Sequence, residues 1–285
     1  MTQTCKWGIG AKRAISATVC VILLSGCGIF SQEEDERPLE SFSAEELYRQ
    51  GEFTLEDGDS DGAAALFGEV ERLYPYSEWS RRALVMQAFS YHQDRDYEAA
   101  RGAAQRFLNI YPADEDAAWA QYILALSYYD QIDDVGRDQG LTFQALQSLR
   151  EVIETYPESE YARSAILKFD LAFDHLAAKE MEIGRYYLKR GHYVAAINRF
   201  RVVVEDFQTT SQTPEALHRL VESYLSLGLT DEAQTAGAVL GHNFQSTDWY
   251  QDSFALLTGR GLQPEPKGDG WLRQVYRQTI LGEWL

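Results

Sequence analysis

The clearest alternation of apolar and polar positions lies between Tyr186 and Phe207, which reads YYLKRGHYVAAINRFRVVVEDF. A helix is expected to end at Lys189-Arg190, where Gly191 supplies the left-handed residue that closes it, and a second helix starts at once. On that second helix Tyr193, Ala196, Phe200, Val203 and Phe207 fall on one stripe at helical spacing, while Asn198, Arg201 and Glu205 fall opposite. The small side chain at Ala196 lets a paired helix come close, and Phe200 fills the space above it. Such a unit cannot bury its stripe alone, so the pattern should recur.

It recurs five times. An alanine stands eleven residues before an aromatic at Ala63/Tyr74, Ala100/Tyr111, Ala145/Tyr156, Ala196/Phe207 and Ala233/Phe244. Seven residues after each alanine the side chain is apolar: Val70, Phe107, Val152, Val203 and Leu240. Pro75, Pro112 and Pro157 follow the first three aromatics, where proline stops a helix. The aromatics are 37, 45, 51 and 37 residues apart. A bundle with chance spacing would not keep five units in register. The pattern predicts an all-α protein, a superhelical solenoid of about five helix-turn-helix repeats of the tetratricopeptide (TPR) type, with additions in the third and fourth units.

The ends and turns follow from the same pattern. Ser43-Ala-Glu-Glu46 reads as a capping box that opens the first repeat. Asp57 to Gly62 resembles a fragment of a calcium loop but lacks its distal bidentate glutamate, so a repeat turn is the expected reading. The third turn is enlarged by Ile132 to Gly140. Glu160 to Lys189 contains no proline, and no glycine before Gly184, and reads as one long helix or two joined with little break. Thr213-Pro214-Glu215 caps the fifth unit and Gly228 ends its first helix. Past Leu257 the pattern stops: a Gly/Pro linker leads to Trp271–Leu285, whose apolar face carries Leu272, Val275, Tyr276, Thr279 and Leu281, with Trp284 near the end. Capping the last repeat is its expected role, with partner docking and membrane contact as alternatives.

The first 26 residues are an address. Lys6, Lys12 and Arg13 precede an apolar run, Ala14 to Leu24, that is too short to span a membrane as a mature helix. Leu24-Ser25-Gly26-Cys27 resembles the bacterial lipobox, which implies cleavage before Cys27 and acylation of its sulfur. Gly28 after it, in place of the aspartate that retains such proteins in the inner membrane, implies the periplasmic face of the outer membrane. Residues 27–42 form the lipidated tether, 43–257 the solenoid in two halves (43–160 and 161–257), and 258–285 the linker and tail. Acyl chains bury about 0.8 kcal/mol per CH2, so several chains on one cysteine anchor firmly.

Composition narrows the function. Cys5 and Cys20 leave with the leader, so no thiol remains for a disulfide, a metal or catalysis. Of the 26 basic residues the leader removes three, and 23 face 44 acidic ones, a net of −21. That balance disfavours nucleic acid and anionic lipid surfaces, which leaves the lipid anchor as the membrane attachment. The five histidines are scattered, with no two at i, i+3 or i, i+4, and no nucleophile elbow or phosphate loop is present. The sequence therefore predicts no catalytic residue, no metal and no cofactor: a scaffold, not an enzyme.

Three segments resemble one family. Tyr156-Pro-Glu-Ser-Glu-Tyr161 is similar to its YPxSxY step, Val135-Gly-Arg-Asp-Gln139 falls at its repeat-three loop, and Tyr186-Tyr187, Arg190-Gly191 and Asn198-Arg199 match its YYxxRG…NR core. With the lipobox and repeats, these resemble the BamD (ComL) family of outer-membrane lipoproteins in the β-barrel assembly machinery, over about residues 24–257. The resemblance implies binding to the periplasmic domains of the barrel-inserting subunit BamA, company with the machinery's other lipoproteins, and help in recognising unfolded outer-membrane clients, with the client groove in the N-terminal repeats. It also implies that Arg199, the arginine of the NR pair, meets a carboxylate on BamA, with Arg190, Asn198 and Arg201 as neighbouring contacts. A generic periplasmic TPR adaptor of another envelope complex is the competing expectation.

Overall fold

The computed structural model describes residues 38–279, so the leader, Cys27, most of the tether and the last six residues lie outside the described residues. Contacts divide the chain into two units, Met1–Ser43 and Ala44–Leu285. The described part of the first contains a 3₁₀ turn, Leu39–Ser41. The second has twelve α-helices and no strand among its described residues. Ten of them form five consecutive pairs: α1 (Ala44–Glu56) with α2 (Ser60–Leu73), α3 (Glu78–Gln93) with α4 (Tyr97–Ile110), α5 (Ala117–Tyr129) with α6 (Gly140–Thr155), α7 (Glu160–Lys189) with α8 (Tyr193–Asp206), and α9 (Thr213–Leu227) with α10 (Thr230–Asn243). Two shorter helices follow, α11 (Asp248–Thr258) and α12 (Trp271–Thr279). First helices also pack on the first helices of the next pair: α1 on α3, α3 on α5 and α5 on α7, with α9 on α11.

The five alanines have one environment. Ala63, Ala100, Ala145, Ala196 and Ala233 are all fully buried, as are Val70, Phe107, Val152, Val203 and Leu240 seven residues on. Each aromatic then ends its helix, with φ between −136° and −124°. Its N–H bonds to the carbonyl of the buried residue four back, at 2.7–3.0 Å in all five cases. Three residues further, a polar residue (Ser77, Asp114, Ser159, Thr210 or Thr247) donates its N–H to the aromatic's carbonyl at 3.0–3.2 Å. Ser77, Ser159 and Thr247 then cap the next helix with their hydroxyl oxygens. The same junction is built five times.

Glycines set how closely paired helices approach. A Cβ on Gly184 of α7 would lie 2.3 Å from the Phe200 ring of α8, and one on Gly51 of α1 would lie 2.8 Å from the Phe67 ring of α2. After the last pair the same device recurs with α11: Gly237 of α10 leaves the space, and Leu257 of α11 fills it.

Glu160–Lys189 is a single helix of 30 residues. Its side chains enter three apolar clusters in turn: Ala165 packs with Leu149 and Val152, Ala172 and Leu176 with Leu146, and Ala177 and Met181 with α8 and α9. The enlarged third turn lies against this helix, where the Lys179 ammonium donates to the Gly136 carbonyl at 2.7 Å. At the first turn Asp59 accepts from the Gly62 N–H at 2.9 Å and so caps α2; no group of metal-ligating residues occurs among the described residues. The fifth pair opens differently from the expected cap. Gln212 holds the cap position without a side-chain bond, while Thr213, already helical, donates its hydroxyl to the Phe207 carbonyl.

The described part of the tail folds back on the last repeats. Gln234 donates to the Gln263 carbonyl at 2.7 Å, and the Thr235 hydroxyl accepts from the Lys267 N–H at 2.8 Å. Leu272 and Val275 of α12 join the C-terminal core, and the Trp271 indole donates to the Tyr224 hydroxyl at 3.0 Å.

Gly184 gives the sharpest test of this packing. Helix propensity alone predicts that Gly184→Ala stabilises α7 by about 1 kcal/mol. The Phe200 ring at 2.3 Å predicts the reverse, a net loss of about 1–2 kcal/mol. Thermal unfolding followed by circular dichroism distinguishes them by the direction of the Tm change.

Candidate partner-binding site

The junction between α7 and α8 is fixed by backbone bonds. Gly191 has φ +74°, its N–H bonds to the Leu188 carbonyl, and the N–H of His192 reaches back to the Tyr187 carbonyl, both at 3.0 Å. This is a Schellman closure, and it needs the glycine because other residues are strained at that φ. The chain reverses within three residues, so side chains at the end of α7 and the start of α8 share one surface.

The four candidate residues point in different directions. Arg190 stacks on Tyr186, with its guanidinium carbon 4.0 Å from the ring centroid, and also bonds the Tyr186 hydroxyl. Asn198 is exposed, and its amide makes no hydrogen bond within the described residues. Arg199 faces α7, where it donates to Glu180 at 3.0 Å while its side chain stays 43% exposed. Arg201 faces the tail: it pairs with Glu205 at 2.9 Å and lies over the Trp271 ring at 4.9 Å. The bond to Glu205 raises the Arg201 guanidinium further above its already high range. Arg201 is thus engaged on both sides, and Asn198 alone of the four is unengaged. Beside it Tyr187, Gly191, His192, Val194 and Leu227 line an open groove of about 550 Å³.

Residues 40–240 match the family model YfiO, described as an outer membrane lipoprotein. The chain is 46% identical over 272 residues to the outer membrane protein assembly factor BamD of Caulobacter vibrioides, covering 93% of this chain and 88% of that one. The chain belongs to the BamD family. Its similarity to the family's Rickettsia prowazekii member is 44% over 211 residues, covering 74% of this chain and 84% of the relative. The Neisseria meningitidis serogroup A member is 28% identical over 244 residues, covering 82% and 91%. Among the described residues no helix is long and apolar enough to cross a membrane.

Two features of this family member each depend on a long-range contact that sequence spacing does not show, Arg185 to Glu215 and His218 to Ser253, joined to pairs at i, i+3 and i, i+4 along α9. The first is an ion-pair chain across the C-terminal repeats: Arg185 to Glu215 at 3.0 Å, Glu215 to Arg219 at 3.2 Å, and Arg219 to Glu222 at 2.8 Å. The second brings a serine, a histidine and a glutamate together, since His218 meets Ser253 at 2.8 Å and Glu222 at 3.7 Å. This grouping cannot meet a substrate, because Ser253 is fully buried and His218 is 4% exposed. It joins α9 to α11. Among long-range partners only the type of residue is visible in the sequence, with nothing in the local pattern to pair residues 35 positions apart.

Burial by itself would raise the Glu222 carboxyl, but His218 and the bonded Arg219 together bring it down to about 2. A carboxyl lowered in the folded state contributes stability above its unfolded value, about 4.3, and loses it as the pH falls toward 2. Glu222→Gln should therefore lower Tm near neutral pH and converge on the unsubstituted protein near pH 2. A constant difference in Tm across that range would contradict the assignment.

Proposed function

We propose that the chain is a lipid-anchored scaffold of the outer-membrane β-barrel assembly machinery. Cys27 would carry the lipid and residues 28–42 the tether, which holds the repeats at the periplasmic face of the outer membrane. The repeats bind the barrel-inserting subunit BamA and other lipoproteins of the machinery, and help to recognise unfolded outer-membrane clients. The role is one of binding, without catalysis. The observation that carries the reading is the 46% identity, over 93% of this chain, to a relative named as an assembly factor.

Arg199 is the residue we assign to the contact with BamA. Its guanidinium has five N–H donors, and one of them serves Glu180. The others remain for a second carboxylate, and a planar fork held in place from one side binds another carboxylate with little further loss of freedom. Glu180 is thus the orienting partner. Arg190 and Asn198 are supporting contacts in this reading, and Arg201 a weaker one because Glu205 and Trp271 already hold it.

Arg199→Glu should reduce co-purification with BamA at least about tenfold, which corresponds to ~1.4 kcal/mol. It also places a carboxylate opposite Glu180. The exchange of both residues, Arg199→Glu with Glu180→Arg, restores the internal pair and should still lose the partner. Recovery of binding in the exchanged protein would assign Arg199 a structural role.

A further inference from the structure

The groove beside Asn198 shares Asn198 and Arg190 with the proposed BamA contact, but it has an apolar wall and an exposed cation, Lys189, that the Arg199 carboxylate pairing does not use. In a chain with 44 acidic residues, none lies between Glu182 and Glu205, a stretch that holds Arg185, Lys189, Arg190, Arg199 and Arg201. Three of these five are neutralised within the fold, Arg185 by Glu215, Arg199 by Glu180 and Arg201 by Glu205. Lys189 and Arg190 are exposed and pair with no carboxylate among the described residues. They immediately precede Gly191, which forms part of the groove wall.

Apart from His192 and Asn198, the rest of the wall is apolar and open. Val194 is 63% exposed and Leu227 39% exposed, and Tyr187 and Tyr193 complete it. Solvation of this surface is unfavourable, and at about 550 Å³ the groove is large enough for two or three side chains. Asn198 supplies the polar group. A primary amide carries both a donor and an acceptor, which matches one peptide unit of an extended chain. The interior of a helix offers no such unit, because its N–H and carbonyl groups are already paired along its own axis.

We infer that this groove binds an extended segment of a protein partner that combines apolar and acidic side chains. Asn198 holds the segment's backbone, Tyr187, Val194 and Leu227 take an apolar side chain, and Lys189 and Arg190 attract its carboxylates. The inference rests on the reading of α8 as a partner-binding helix, but it does not require Arg199. Long-range attraction to two exposed cations is screened over about 8 Å at physiological salt, so occupancy should fall as salt rises.

The test places a photo-crosslinking benzoylphenylalanine at Val194 in the full-length protein in cells and identifies the captured peptide by mass spectrometry. The expected product is a protein segment with apolar and acidic residues at the crosslinked position. Its yield should fall about tenfold in Lys189→Glu/Arg190→Glu and clearly in Asn198→Ala, with thermal unfolding unchanged in both. Crosslinks to lipid only, to a basic segment or to nothing overturn the inference, as does a yield indifferent to these substitutions. Arg199→Glu tested in parallel separates the two readings. If it leaves BamA bound while the Val194 product persists, the Arg199 contact fails and the groove stands. If it releases BamA while Val194 captures no such segment, the groove fails and the Arg199 contact stands.

Discussion

A pair of helices with one apolar stripe each cannot close a core without a neighbour, and the rest of this structure depends on that constraint. Each stripe is completed by the next pair, so every interface must have the same depth. The fully buried alanine near the start of each second helix sets that depth, and the buried apolar residue seven positions later anchors its other end. The terminal aromatic then fixes where the chain leaves the helix, through a bond to that same anchor's carbonyl. Small residue, anchor and stop form one mechanical unit. A change in any of them alters the angle at which the next pair is delivered.

The junction between α7 and α8 shows the same logic placing surface side chains. Gly184 admits Phe200, which brings the two helices close enough for Glu180 to meet Arg199. Gly191 reverses the chain so tightly that Tyr187, Val194 and Asn198 share one groove. Core packing therefore positions the surface side chains, and the polar groups are held by elements that are themselves buried. On the far side the tail engages Arg201 through Trp271, which fixes the limit of the available surface.

The fold was legible because its determinants are local. The alanine, the anchor and the aromatic lie within eleven residues, and helical periodicity makes their spacing visible. A further local signal accompanies these: the Ser, Asp or Thr three residues after each aromatic, which closes the junction in all five repeats. The candidate site was legible only in part. Family motifs picked out Arg190, Asn198 and Arg199, with Arg201 as a neighbour, but no local pattern tells that Glu180 lies under Arg199 or that Trp271 lies over Arg201. Those pairings depend on helix-to-helix contacts and on a tail that crosses 70 positions of sequence to reach Arg201. The role of His218 was hidden for the same reason, since its partner Ser253 belongs to a helix past the last repeat.

The central claim is that the stack exists to present the end of α7 and the outer surface of α8 to another polypeptide. Hydrogen–deuterium exchange of the whole chain, alone and with the periplasmic domains of BamA, measures this directly. The account predicts added protection across the last turns of α7 and along α8 on binding, while the buried second helices of the first two repeats stay as they are. Protection confined to α1–α4, with none on α8, would contradict it.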